Sequence, residues 1–219
     1  MKYGIKLRAQ KIRTPQTFRN GYCNTIMNKR VFIVHGWDGY PEEGWFPWLK
    51  KKIAASNIEV HVPSMPDTEH PAIDVWVPFL KHLVGKPDEQ TYFVGHSIGG
   101  QSILRYLETL PAGTTVGGVV MVAGWVNLKP AALEDEESLA VATPWLQRPL
   151  NWAKIRQRAK QFTAIMSDDD PYVSVEDGKL FVRELGAKLV IEHQKRHLGG
   201  EDGVMVLASV AKALEEMMG

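Results

Sequence analysis

Short apolar runs alternate with amphipathic segments along the chain from residue 29 onward. Runs that are apolar on both faces and rich in β-branched residues predict buried strands; these are residues 31–34, 58–62, 91–94, 116–122, 162–166 and 188–191. Apolar positions at helical spacing predict helices over residues 41–56, 71–84, 98–110, 151–160, 174–185 and 201–217. This alternation predicts an α/β fold: a mostly parallel six-stranded sheet with helices on both faces.

Two stretches depart from the pattern. Residues 125–150 contain four consecutive acids, several prolines and scattered aromatic residues, which predict a small irregular insertion over the edge of the sheet. Residues 1–26 form a basic extension that carries six of the 26 Lys and Arg residues and no acid. We find no linker inside the remainder, so residues 27–219 are expected to form a single domain.

The basic extension over residues 1–26 has three interpretations. Because it is Arg-rich and lacks acids, it is compatible with a transit peptide. It is also compatible with a basic arm that contacts an anionic surface. The simplest interpretation is an upstream stretch with no folded role, and we expect it to lie outside the core.

Charge and cysteine content narrow the class of protein. The body holds 20 basic against 25 acidic residues, a net charge of about −5, which gives no electrostatic basis for binding nucleic acid. The single cysteine, Cys23, excludes an intrachain disulfide and favours a reducing, cytoplasmic location. No apolar run reaches membrane-spanning length, and the N-terminus lacks the apolar core of a secretory signal. Oligomeric state is left open.

The strongest chemical signal is the segment 95–99, Gly-His-Ser-Ile-Gly, which matches the G-x-S-x-G nucleophile elbow of α/β hydrolases. Glycines two residues either side of Ser97 avoid clashes at the sharp strand-to-helix turn that exposes its hydroxyl. The competing interpretation is a glycine-rich helix cap with an idle serine. Because the motif lies between a predicted strand and an amphipathic helix, we predict that Ser97 is a nucleophile.

A serine needs a base, and only two histidines, His193 and His197, follow Ser97. His197 lies in a loop that ends in two glycines and can turn back toward the serine, so we predict that it is the base. The spacing of the two histidines would need a helix to align them on a metal, but the segment is predicted to be a strand followed by a loop. We therefore expect no metal site and no cofactor.

Three acids, Asp168, Asp169 and Asp170, follow the fifth predicted strand. The acid of a catalytic triad must orient the imidazole of the base and stabilise its charged form. We favour Asp170 for this role, with Asp169 and then Asp168 as the alternatives. The unused pair is expected to cap the next helix or to remain solvated.

The loops after the other strands supply the remaining parts of the site. An oxyanion needs two backbone N–H donors, and the predicted donors are Ile98, which follows the nucleophile, and Trp37, which follows the first strand. His35 is expected to support that loop. Trp37 and Trp125 both follow strands and are predicted to line a substrate pocket, although packing between helices and sheet is the alternative role for any tryptophan here.

Four segments (residues 31–36, 45–49, 95–97 and 169–171) together resemble the small YdeN-like serine hydrolases, a family that includes retinoblastoma-binding protein nine. The resemblance covers residues 29–217. It implies a minimal α/β-hydrolase fold without a large cap, and a triad on Ser97, Asp170 and His197. The family's histidine usually follows a glycine, whereas Arg196 precedes His197 in this chain.

These signals favour a carboxylesterase-like serine hydrolase that cleaves a small-molecule or acyl ester through an acyl-serine intermediate. One alternative is a non-catalytic protein-binding module on the same fold, although such a module has no need of all three triad groups. The other is an acyltransferase that uses the same site with an acceptor other than water. The sequence does not separate hydrolysis from transfer.

Overall fold

A computed structural model describes residues 28–54, 56 and 58–219, so the basic extension over residues 1–26 lies outside the described residues. The strands are β1 (Arg30–Val34), β2 (Glu59–His61), β3 (Thr91–His96), β4 (Gly118–Val122), β5 (Phe162–Ser167) and β6 (Lys188–Glu192). The α-helices are α1 (Phe46–Ala54), α2 (Ile73–Val84), α3 (Ile98–Thr109), α4 (Glu136–Gln147), α5 (Trp152–Arg156), α6 (Val175–Leu185) and α7 (Ala208–Met218).

The six strands form one sheet in the order β2-β1-β3-β4-β5-β6, and every neighbouring pair is parallel. The predicted α/β fold is therefore confirmed, and the sheet is wholly rather than mostly parallel. After β1 the chain moves outward to β2 and then crosses back to β3 on the other side of β1. Ligands in such sheets bind where the strand order reverses, at the carboxyl ends of the strands. This rule places a site between the ends of β1 and β3.

Alternating side chains of the strands pack into two separate hydrophobic cores, one on each face of the sheet. Phe32 and Val34 of β1 face the layer that contains α2, α3, α5 and α6. Val31 and Ile33 face the opposite layer, formed by α1 and α7. Both faces of the sheet are covered, which explains why the strand sequences are apolar throughout.

Two helices begin later than predicted, because glycines with positive φ occupy the positions expected to be helical. Gly44 has φ +48° and lies so close to Gly200 that a Cβ atom on it would be 2.9 Å from the Gly200 nitrogen. α1 consequently starts at Phe46 rather than at residue 41. Gly203 has φ +74° within a turn, and α7 starts at Ala208 rather than at residue 201.

Residues 125–150, expected to be irregular, contain a short 3-10 helix (Pro130–Ala132) and the twelve-residue helix α4. The Asp135 side chain caps α4 by accepting a hydrogen bond from the Ser138 amide at 2.7 Å. Elsewhere, α5 is five residues long and ends before the predicted residue 160. Within the described part of the chain, no helix is long and apolar enough to cross a membrane.

Candidate active site

Ser97 lies between β3 and α3 with φ +51° and ψ −122°, a conformation that non-glycine residues rarely adopt. The glycines around it are required by contact. A Cβ atom on Gly99 would lie 2.4 Å from the Val34 carbonyl oxygen, and one on Gly95 would lie 2.5 Å from the Gly100 nitrogen. The turn can therefore be this sharp only with glycine at both positions, and it places the serine at the carboxyl end of the central strand.

His197 lies in the loop after β6, and its Nδ1 is 2.8 Å from Asp170 Oδ2. Asp170 is 1% exposed, and its Oδ1 accepts the amides of Tyr172 and Val173 at 2.8 and 2.9 Å. An ionised carboxylate only accepts hydrogen bonds, so the histidine proton is on Nδ1. Nε2 is thereby left as the acceptor, the tautomer that a general base requires.

The other two aspartates of the triplet contact the same loop at different points. Asp168 binds His193 Nδ1 and accepts the Gln194 amide at 3.0 Å, and the hydrogen bond from His193 lowers the pKa of this carboxyl. Asp169 accepts the Arg196 amide at 2.7 Å and the Ser167 hydroxyl at 2.8 Å. Only Asp170 reaches the His197 side chain, while its neighbours fix the backbone that carries that histidine.

The loop that carries His197 has non-glycine residues in left-handed conformations at every second position: Gln194 (φ +55°), Arg196 (φ +47°) and Leu198 (φ +59°). Arg196 therefore adopts the backbone that favours the glycine usual before this histidine. Its Nε donates to Asp202 Oδ1 at 3.0 Å, while Asp202 Oδ2 accepts the His197 amide at 2.9 Å. The departure from the family pattern is thus accommodated by an ion pair whose carboxylate also binds the His197 amide.

Two residues that the sequence reasoning missed hold this loop from the opposite side. His96 Nε2 donates to the His197 carbonyl at 2.9 Å, and Trp45 Nε1 donates to the Leu198 carbonyl at 2.8 Å. Burial lowers the pKa of His96 to about 3, so the ring is neutral at physiological pH. The aromatic block over residues 45–49 contains Trp45 and is the sequence signal for its role, whereas His96 lies within the elbow motif itself.

The predicted oxyanion donors, Trp37 and Ile98, lie at the ends of β1 and β3. Within the described residues, neither backbone amide donates to another backbone carbonyl. The loop of Trp37 is supported by His35, which accepts the Met65 amide on Nε2 at 3.0 Å and donates from Nδ1 to the Gly36 carbonyl at 2.9 Å. Two amides are thus available to a ligand at the strand ends, and His35 is placed as a support for the loop.

A cavity of about 630 Å³ opens above Ser97. Ile98, Trp37, Trp125 and His197 are among the residues that line it, and Trp125 Nε1 donates to Ser97 Oγ at 3.3 Å. Among the residues that the structure describes, the lining includes no Lys or Arg. It does carry an acidic group, which consists of Asp38, Glu42, Glu43, Glu134, Asp135, Glu201 and Asp202. Burial raises the pKa of Glu43. No group of three or more metal-ligating side chains occurs among the described residues.

The fold and this arrangement define the class of α/β hydrolases. The sequence model of the serine hydrolase family matches residues 31–216, and the chain belongs to that family. Among its relatives, YdeN of Bacillus subtilis (strain 168) is 30% identical over 188 residues, covering 86% of this chain and 95% of YdeN. Serine hydrolase RBBP9 of Rattus norvegicus is 27% identical over 147 residues, covering 67% and 73% of the two chains.

Solved structures with the same fold include one from this family. The crystal structure of the ydeN gene product from B. subtilis superposes with a TM-score of 0.80 at 29% identity, covering 87% of this chain and 99% of that one. Est1E from Butyrivibrio proteoclasticus with bound ferulic acid superposes with a TM-score of 0.67 at 15% identity, covering 86% and 87%. The predicted family resemblance is thereby confirmed, and the second match supports the fold alone.

Proposed function

We propose that this hydrolase cleaves a small-molecule or acyl ester through an acyl-serine intermediate, with Ser97 as nucleophile, His197 as base and Asp170 as the acid that orients it. One observation carries the proposal: Ser97, on its strained turn, shares a cavity with a histidine whose Nδ1 is bound by a buried carboxylate. The remaining groups of the site follow from this arrangement.

In the acylation step, Ser97 Oγ attacks the ester carbonyl carbon while its proton passes to His197 Nε2. The carbonyl oxygen becomes an oxyanion, which the amides of Trp37 and Ile98 stabilise. The loss of one such donor typically costs about 100–1000-fold in rate. The intermediate then collapses, the bond to the alcohol oxygen breaks, and His197 returns the proton to the leaving alcohol.

In the deacylation step, water enters the same cavity and His197 takes its proton as the oxygen attacks the acyl carbon. Collapse of the second tetrahedral intermediate releases the carboxylic acid, and the proton returns to Ser97 Oγ. An alcohol in place of water would give acyl transfer by the same route. Product analysis with added alcohols therefore separates the two reactions.

The acyl group is proposed to lie against Trp37 and Trp125. Both tryptophans line the cavity; Trp37 is half-buried and offers most of the apolar ring surface, while the 3%-exposed Trp125 contributes only an edge beside the nucleophile. Burial of each additional CH₂ contributes about 0.8 kcal/mol. We therefore expect kcat/KM to rise with acyl length from acetyl to hexanoyl p-nitrophenyl esters, and equal efficiency across the series would contradict an apolar acyl pocket.

Labelling with a fluorophosphonate probe tests the nucleophile. The wild-type protein should be labelled and Ser97→Ala should not, whereas Ser138→Ala removes the other serine of the cavity lining and should leave labelling intact. Peptide mapping should place the adduct on Ser97. An unlabelled wild-type protein would favour the protein-binding module, and a labelled Ser97→Ala variant would assign the chemistry to another residue.

A pair of histidine variants tests the base. His197→Ala should lower kcat by at least about 1000-fold, because the serine loses its proton acceptor. His193→Ala is the matched control, since this residue lies in the same loop, pairs with Asp168 and has a side chain 78% exposed. If activity survives in His197→Ala and is lost in His193→Ala, the assignment of the base is wrong.

A further inference from the structure

The nucleophile has a hydrogen-bond partner that the mechanism above does not use. The indole N–H of Trp125 donates to Ser97 Oγ at 3.3 Å, and this is the hydrogen bond that the structure gives that oxygen among the described residues. A hydroxyl oxygen can accept this bond and still donate its own proton. The bond therefore does not compete with the transfer of that proton to His197.

The loop after β4 fixes the backbone of Trp125 closely. Gln101, itself 1% exposed, donates to the Trp125 carbonyl at 3.0 Å. The buried carboxylate of Asp177 accepts the amides of the next two residues, Val126 and Asn127, at 3.1 and 3.0 Å, and the Asn127 side chain at 2.8 Å. With its backbone held at these points and only 3% of the residue exposed, the indole has little freedom to move away from the serine oxygen.

The same loop is also joined to the acid of the triad. Lys129 Nζ donates to the Asp170 carbonyl at 2.6 Å, and the Lys129 amide donates to the Tyr172 carbonyl at 2.8 Å. The donor to the nucleophile and the carboxylate that orients the base are therefore held in one bonded unit. The second of these bonds, from the Lys129 amide, joins two backbone groups, so this part of the link does not depend on a flexible side chain.

We propose that Trp125 is a positioning residue whose indole N–H fixes the position of Ser97 Oγ and stabilises the negative charge that develops on this oxygen as its proton leaves. This role rests on the proposed function and is additional to any contact of the ring with the acyl group. When the acyl bond forms, Oγ becomes an ester oxygen, which is a weaker acceptor, so the hydrogen bond weakens. Deacylation restores it.

The kinetic test separates the N–H group from the ring. Replacing Trp125 by 3-benzothienylalanine, through nonsense suppression, exchanges the indole N–H for sulfur and keeps the shape of the ring. We expect kcat and the fluorophosphonate labelling rate to fall about tenfold with KM changed less than about twofold, the effect of one lost neutral hydrogen bond. Trp125→Phe should lower kcat at least as much and should also alter acyl-length preference. The control is the same replacement at Trp152, which packs against Phe181 and does not line the cavity.

A spectroscopic test needs no turnover. In ¹⁵N-labelled protein, the indole N–H signal that disappears in Trp125→Phe should shift upfield in Ser97→Ala, because the donor has lost its acceptor. It should also shift in wild-type protein that has reacted with fluorophosphonate, while the Trp152 signal stays in place. An unchanged Trp125 signal in Ser97→Ala, or a benzothienylalanine variant with wild-type kcat, would overturn the assignment. Wild-type protein that neither reacts nor turns over any ester would instead refute the proposed function.

Discussion

Replacement of Asp170 by asparagine separates the three candidate acids of the triad. Asp170 is buried, and it accepts two backbone amides on Oδ1 and the His197 ring on Oδ2. Asparagine keeps one oxygen, which can remain on the backbone amides. Its NH₂ group then faces His197 and donates to Nδ1. The imidazole must carry its own proton on Nε2, which is the atom that has to accept the proton of Ser97.

The expected magnitude follows from this change of tautomer. In Ser-His-Asp enzymes, the wrong tautomer costs about 10⁴-fold in kcat. We expect a fall of about 10³–10⁴-fold in kcat for Asp170→Asn. KM should stay within about threefold, because the side chain does not line the cavity. The free energy of unfolding should change by no more than about 1 kcal/mol, since both backbone hydrogen bonds are retained.

Steady-state hydrolysis of a p-nitrophenyl ester gives kcat and KM, and urea unfolding gives the stability. Asp168→Asn and Asp169→Asn are matched controls from the same triplet. They should stay within about tenfold of wild-type kcat, because these two side chains contact His193 and the loop backbone rather than His197. A loss of less than about tenfold in Asp170→Asn, or a larger loss in either control, would refute the reasoning.

Three further predictions follow from packing, burial and charge. Gly99→Ala should lower the free energy of unfolding in urea by about 3 kcal/mol, because its Cβ would meet two backbone carbonyls. The control Gly100→Ala makes only ordinary contacts and should be neutral or stabilising. Similar stabilities of the two variants would contradict this reasoning. The folded-state pKa of His96, about 3, lies below its unfolded value, so its contribution to stability is complete above pH 6.5 and is lost as pH falls toward 3, by about 1.4 kcal/mol per pH unit. Urea unfolding at pH 7, 6 and 5 should show this loss of stability in the wild-type protein and a smaller loss in His96→Asn. If stability falls equally steeply with pH in both proteins, the loss belongs to another group. At low ionic strength, the acidic cavity lining should favour an ester with an ammonium group over a carboxylate ester of equal size by about tenfold in kcat/KM. Salt at 1 M should reduce this ratio, because it screens the charges. Equal values of kcat/KM at low salt would exclude charge selection.

The strand pattern predicted the sheet well because the parallel strands are buried on both faces, so local apolar runs mark them. β1 and β5 lie within one residue of their predicted bounds. The starts of α1 and α7 could not be predicted in the same way. Gly44 has a positive φ where Gly200 packs against it, and that contact joins segments more than 150 residues apart. α4 was not predicted because the prolines of residues 125–150 interrupt the apolar pattern, although Asp135 and the glutamates after it form an ordinary capped start.

For the site, the elbow is a local motif, so Ser97 and its glycines could be identified directly. The choice among Asp168, Asp169 and Asp170 depends on the direction in which each side chain leaves one turn, and spacing alone does not contain that information. The same holds for the left-handed backbone at Arg196, since no glycine marks it. The hydrogen bond from Trp125 to Ser97 links the ends of two adjacent strands, so only the folded chain reveals it.

The segment that breaks the strand and helix alternation has a further consequence for how the cavity can change. Residues 128–138 supply one wall of the cavity, including the start of α4, whereas the proposed nucleophile, base and acid come from strand ends. α4 is attached to the rest of the fold at a few points, such as Trp145 Nε1 on the Pro71 carbonyl and Arg105 on the Trp145 carbonyl. This wall is therefore a replaceable module: an exchange of residues 131–138, which keeps Lys129 on Asp170 and Trp145 on its anchors, is expected to redirect the choice of substrate while the reacting groups stay where they are.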